Sequence, residues 1–149
     1  MIIRKAHQSD SDSWSKMRTA LWPDTDDEHR AEIAAYFAND STDIEKTYLA
    51  EVDGEIIGFI ELNIRNFAEG SRQSTVPYVE AWYITPAHQG NGYGRQLMHQ
   101  AEAWARSLGF NELASDTEID NTRSIAMHKH LGFSETERVV CFLKKLNDA

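Results

Sequence analysis

Cysteine is almost absent from the 149 residues: Cys141 is the only one. No disulfide can therefore form within the chain, which fits a reducing compartment, and a cytoplasmic protein is expected. Positive charge is also scarce. Fifteen basic residues stand against 24 acidic ones, a net charge of −9. Nucleic-acid binding needs a basic face, so nucleic acid is not an expected partner. No run approaches the roughly 20 apolar residues of a membrane span. Met1-Ile2-Ile3-Arg4-Lys5 lacks the apolar stretch of a signal peptide, so no membrane is expected either. There is no internal repeat, low-complexity segment or linker, and residues 1–149 read as one domain.

Acid is present in quantity and unevenly spread. Asp24, Asp26, Asp27, Glu28, Glu32, Asp40, Asp43 and Glu45 lie between Pro23 and Glu45, with Arg30 as the only base. By itself such a run is a solvated surface; beside a pocket it would attract a cation.

Periodicity gives the order βααβββαβαβ, a mixed α/β domain. Ile2 to Ala6 reads as a strand. A helix capped by Ser9 or Asp10 carries Trp14, Met17, Arg18 and Leu21, and ends at Trp22-Pro23. Asp26 to Phe37 is a second helix. Thr47 to Val52 and Glu55 to Arg65 are strands joined at Asp53-Gly54. In the second of these, Ile60, Leu62 and Ile64 alternate with Glu61, Asn63 and Arg65, which predicts one buried and one wet face. Val76 to Ile84 is a strand and Tyr93 to Ser107 a long helix with Leu97, Met98, Ala101, Trp104 and Ala105 inward. A short strand over Glu112 to Ser115, a helix capped by Asp120 or Asn121 and ending at Leu131, and a final strand over Val139 to Leu146 complete the pattern.

The turn Gln89-Gly90-Asn91-Gly92-Tyr93-Gly94 joins a strand to that long helix. Glycines there let backbone N–H groups approach a ligand, and the helix adds its positive end, so the segment is a candidate pyrophosphate site. No Gly-Lys-Ser/Thr triplet makes it a P-loop, and its glycine offsets do not fit the dinucleotide fingerprint. A metal is not expected, because His128 and His130 lie two apart on a helix and diverge.

With Thr85-Pro86 before it, Asn121 some 30 residues later and His130-Leu131-Gly132-Phe133 closing the next helix, this turn resembles the Q/R-x-x-G-x-G/A segment of the GNAT superfamily of acetyl-CoA-dependent N-acetyltransferases. Leu21-Trp22-Pro23, the strand around Glu80, Ala114-Ser115-Asp116-Thr117, Asn121-Thr122 and the stretch from Leu131 to Val139 are similar to the small bacterial aminoglycoside 6'-N-acetyltransferases. The resemblance implies a mixed sheet of six to seven strands with about four helices. It implies acetyl-CoA held by Trp82, Tyr83 and Ile84, by Gln89, Gly90, Asn91, Gly92, Tyr93 and Gly94 with Arg95 beside them, and by Asn121. It implies a cationic aminoglycoside acceptor on Trp22 and Phe67, its ammonium groups on Glu80, Asp116 and Glu137. Asp116 or Glu80 would accept the proton. The tyrosine that commonly protonates the leaving thiolate in that family is replaced here by His128. The resembled enzymes are often dimers, and the final strand is a candidate for exchange. Two other readings stay open: an enzyme of this superfamily acting on another amine such as a polyamine, and a non-catalytic acyl-CoA-binding module.

Overall fold

Residues 1–23 and 26–147 are described by the computed structural model; Asp24 of the acidic segment lies outside them. The chain divides into two units, Met1–Asp116 and Thr117–Ala149. In the first, β1 (Ile2–Lys5), α1 (Ser11–Leu21), α2 (Asp26–Phe37), β2 (Lys46–Val52), β3 (Glu55–Arg65), β4 (Val76–Ile84), α3 (Tyr93–Ser107) and β5 (Ala114–Ser115) follow in order, with short 3-10 turns at Gln8–Asp10 and Pro86–His88. The strands form one sheet, β1-β2-β3-β4-β5, antiparallel except for the parallel β4–β5 pair. Asp53 and Gly54 both take positive φ, the geometry a two-residue hairpin turn demands.

The sheet therefore has five strands where six to seven were expected. Residues 133–147 form no strand, and Val140, Phe142 and Leu143 stand exposed. Val139 to Leu146 has strand-like composition, but a strand is stable only as part of a ladder, and no strand of this chain pairs with it among the described residues. The strand expected over Glu112 to Ser115 shrinks to its last two residues.

A second correction concerns β3. Its alternation predicted a wet face carrying Glu61, yet Ile57 through Leu62 are all buried. Helix α1 covers that face. Trp14, Met17, Ile33, Ile44, Leu49, Phe59 and Ala81 make a core between α1, α2 and the sheet. Ile60 and Leu62 point the other way, where α3 packs its predicted inner residues Leu97, Met98, Ala101, Trp104 and Ala105. A sheet covered on both faces loses the polar alternation.

Glu61 is thus a buried carboxylate. The Trp14 Nε1–H donates to its Oε2 at 2.8 Å, and the Arg18 Nε lies 2.9 Å from the same oxygen. Burial pushes its pKa up to about 7 from 4.5; Arg18 and the Trp14 hydrogen bond pull it back only in part. Between those values the folded protein holds a proton that the unfolded chain has released. Stability contributed by this group is consequently lost as pH rises from 4.5 through 7.

In the second unit, α4 (Thr122–His130) starts on Asn121, whose side chain accepts from the Ser124 N–H at 3.1 Å. Gly132, at φ +95, closes it. The His128 Nδ1 is 2.8 Å from the Ser124 carbonyl oxygen, and its ring meets Phe133 edge-on.

Urea denaturation at pH 5 and pH 8 tests the Glu61 assignment. Glu61→Gln should flatten the decline in stability toward pH 8 by about 1–3 kcal/mol relative to the unsubstituted protein. An unchanged difference between the two pH values would show that Glu61 does not titrate in this window.

Candidate active site

β3 and β4 are antiparallel, and their register breaks once. Glu61 pairs with Ala81 but Leu62 pairs with Val79, leaving Glu80 as the extra residue of β4. Such a bulge bends the strand and re-aims a side chain. On the other edge, β5 pairs only with Tyr78 and Val79 and then ends. Among the described residues no strand pairs with the Glu80–Ile84 half of β4 on that side. Gly58 allows the close approach on the opposite edge: a Cβ there would lie 2.6 Å from the Tyr83 carbonyl oxygen.

The glycine turn is fastened to this half-strand. The Gln89 side-chain amide donates to the Ile84 carbonyl oxygen at 3.0 Å, and the Trp82 indole N–H donates to the Gly94 carbonyl oxygen at 3.0 Å. Asn91 donates to the His88 carbonyl oxygen at 3.1 Å. Gly90 and Gly92 sit at φ +86 and +81, and a Cβ at either would meet no atom within 4 Å. Gly92 is the N-cap of α3 and makes no side-chain cap, so the first amides of a 15-residue helix lie behind an open, side-chain-free cradle. That is what a pyrophosphate requires, and the cradle fits the phosphates of coenzyme A.

The other part of the site is a cavity of about 1080 Å³. Glu28, Glu32, Asp43, Glu61 and Glu80 line it against Arg18 and Arg65, with Trp22 and His29 among its walls. The acidic segment thus borders a pocket, the condition under which it carries meaning. Glu80 is clamped: Arg65 donates to Oε1 at 2.5 Å from Nη2 and to Oε2 at 2.9 Å from Nε, and Asn63 donates to Oε2 at 2.9 Å. The Arg65 guanidinium stacks 3.6 Å from the Tyr78 ring centre. The Tyr78 hydroxyl in turn donates to Asp116 Oδ2 at 2.6 Å. Burial, then the Asp116 hydrogen bond, holds the Tyr78 phenol well above its ordinary pKa, so it remains a donor.

Of the residues nominated from the sequence, Trp22 and Glu80 share the cavity. Asp116 follows β5 and is joined to Glu80 through Tyr78 and Arg65 rather than by direct contact. Phe67 is 64% exposed beside the cavity-lining Asn66. Trp82, Tyr83 and Ile84 lie on β4, Gln89 to Gly94 in the turn below it. Asn121 and the exposed Glu137 belong to the second unit. Sequence reading missed Arg65, Asn63, Arg18, His29 and Glu61. The signal for Arg65 and Asn63 was available in the polar alternation of β3; the buried ion pair under α1 had none, since a helix-face arginine reads as solvated.

A bulged strand feeding a glycine turn at a helix N-terminus has the geometry that an acyl-CoA donor needs, and the profile of the acetyltransferase (GNAT) family matches residues 11–133. The chain belongs to that family and is an acetyl-CoA-dependent N-acetyltransferase. Among its relatives, an aminoglycoside N(6')-acetyltransferase type 1 of Klebsiella aerogenes is 40% identical over 147 residues, 97% of each chain. The crystal structure of the ligand-free aminoglycoside 6'-N-acetyltransferase AAC(6')-IG from Acinetobacter haemolyticus superposes with a TM-score of 0.89 at 36% identity, covering 99% of this chain and 100% of that one. AAC(6')-Iy in complex with the bisubstrate analogue CoA-S-monomethyl-acetylneamine superposes with a TM-score of 0.87 at 33% identity, over 97% and 98%.

The two kinds of glycine in the turn should separate on substitution. Gly92→Ala forces an L-residue to positive φ, at a cost of about 1–2 kcal/mol, and should raise the KM for acetyl-CoA about tenfold. At Gly94 a Cβ would lie 3.5 Å from the Trp82 ring, ordinary contact. Gly94→Ala should therefore stay within about twofold of the parent in steady-state kinetics.

Proposed function

We propose that this protein transfers acetyl from acetyl-CoA to the 6'-amino group of aminoglycosides, and so confers resistance to them. The observation that carries the reading is the acidic, tryptophan-walled cavity beside the bulged strand. A polycationic acceptor needs carboxylates to receive its ammonium groups and an apolar plane for its sugar ring. Glu28, Glu32, Asp43 and Glu80 supply the first and Trp22 the second. The relatives named above act on this class of acceptor by their names, and they align over nearly the whole chain.

Acetyl transfer forms a C–N bond and breaks a C–S bond; the amine gives up a proton and the thiolate takes one. A backbone N–H near Ile84 stabilises the oxygen charge that develops at the carbonyl. Gln89 to Gly94 hold the pyrophosphate, and Asn121 contacts the cofactor arm. Asp116 accepts the amine proton, directly or through water. Glu80 serves as an ammonium anchor, fixed in place by Arg65 and Asn63 on its two oxygens. Trp22, Phe67 and Glu137 complete the acceptor contacts.

We further infer a cytoplasmic homodimer in which the segment from Val139 to Leu146 pairs with a second copy. Phe142 and Leu143 are 92% and 90% exposed, an arrangement apolar side chains keep only until a partner covers them. Light scattering should give twice the monomer mass, and Phe142→Asp with Leu143→Asp should shift it toward the monomer. A monomeric parent protein would sink this assignment.

Turnover with kanamycin, tobramycin and spermidine, read as free thiol release, tests the activity itself. Both drugs should be acetylated at the 6' amine; activity on spermidine alone would overturn the proposal. Asp116→Ala should lower kcat/KM for kanamycin by about a hundredfold, mostly through kcat. A loss under about threefold would remove Asp116 from the proton path.

A further inference from the structure

Arg18 occupies an unusual place for a cation. It is 4% exposed, on the inner face of α1, and lines the acidic cavity. Its guanidinium touches three things at once. Below it, Glu61 lies 2.9 Å from Nε and 3.5 Å from Nη2. Toward the rim, Nη2 is paired with Glu32, whose side chain is 44% exposed. Sideways, the guanidinium carbon sits 5.2 Å from the Trp22 ring centre. Its Nη1 is buried with no hydrogen-bond partner among the described residues. A buried cation with an orphaned donor is costly, which argues that position rather than stability keeps it there.

Trp22 follows the last turn of α1. His29 reaches it from α2, its Nε2 3.0 Å from the Trp22 carbonyl oxygen and its ring centre 6.0 Å from the indole. Arg18 meets the same ring from α1. The same guanidinium draws Glu32, otherwise a long side chain free to wander at a helix surface, against the cavity wall.

We propose that Arg18 is a positioning residue of the acceptor pocket, mounted on Glu61, that fixes Trp22 and Glu32 for the polycationic acceptor. The proposal rests on the reading of this cavity as the acceptor site. It differs from a purely electrostatic role in the sign of its effect. If Arg18 acted only as a charge, removing it would leave the pocket more acidic and lower the acceptor KM. As a mount, its loss raises that KM.

The test is steady-state kinetics with kanamycin on Arg18→Met, Arg18→Lys, Glu32→Gln, and the double variant Arg18→Lys with Glu32→Gln. Lysine keeps the charge but not the planar fork that holds two carboxylates and faces a ring. Both Arg18 variants should raise the kanamycin KM about fivefold or more, with the KM for acetyl-CoA and kcat within about twofold. Glu32→Gln should give a smaller rise of the same kind, and the double variant should be no worse than Arg18→Lys alone, since Glu32 acts only when held. Should Arg18→Met fail to fold, Arg18→Lys and the half-exposed Glu32→Gln still decide the matter. Trp22→Ala and Glu80→Gln serve as reference substitutions. If these raise the kanamycin KM while the Arg18 and Glu32 variants leave it unchanged or lower, the mounting role is overturned and the acceptor site stands. If none of the four positions moves it, the cavity is not the acceptor site and both readings fall.

Discussion

One extra residue in β4 governs how this protein is organised. By inserting Glu80 between the residues that pair with Glu61 and Leu62, the chain bends the strand at the place where β5 also ends. Two needs that conflict in a regular sheet are met together. Tyr78 and Val79 are paired on both edges and buried. Beyond them no strand among the described residues adds to that edge of β4, and the bulge keeps it from being a long flat strand open to other chains. Gly58 makes the arrangement rigid rather than loose, since only a residue without Cβ lets β3 lie this close to the Tyr83 carbonyl.

The acidic cavity is built on the same strand pair, from residues that a bulge and a covered sheet bring together. Glu61 and Glu80 belong to adjacent strands, yet their environments differ sharply. Glu61 is sealed beneath α1 with a tryptophan and an arginine, and burial dominates its proton affinity. Glu80 faces the cavity and is held by Arg65 and Asn63. Neighbouring carboxylates can thus serve different ends, one inside the framework and one toward the cavity.

Elements with strong periodicity or clear punctuation were legible from the sequence. The ranges of α2, β3, β4 and α3 coincide with those expected, because helix and strand patterns there agree with the glycine and proline signals around them. The glycine turn between β4 and α3 was legible too, since a turn motif is local. The acceptor half was less so. Glu61 was expected on a wet face because two-residue alternation records polarity and not what covers it; an ion pair satisfied inside the core looks the same in sequence as a solvated one. Arg65 was overlooked for a related reason, as its partner Glu80 lies 15 residues away and meets it only through the β3–β4 pairing. The final strand failed on pairing, for β propensity states that a segment suits a ladder and not where its neighbour is.

Arg65 also changes what an empty pocket is. If the cavity takes the polycationic acceptor proposed above, Arg65, lying on Tyr78 and gripping Glu80, is the protein's own stand-in for one of that acceptor's cations. Carboxylates gathered for a polycation would otherwise repel one another whenever the site is vacant, and the fold would bear that strain throughout the resting state. An arriving ammonium group therefore exchanges with a tethered cation instead of neutralising bare charge. On that reading the gain per carboxylate is modest, and Arg65 remains at hand to replace a product that has lost one positive charge.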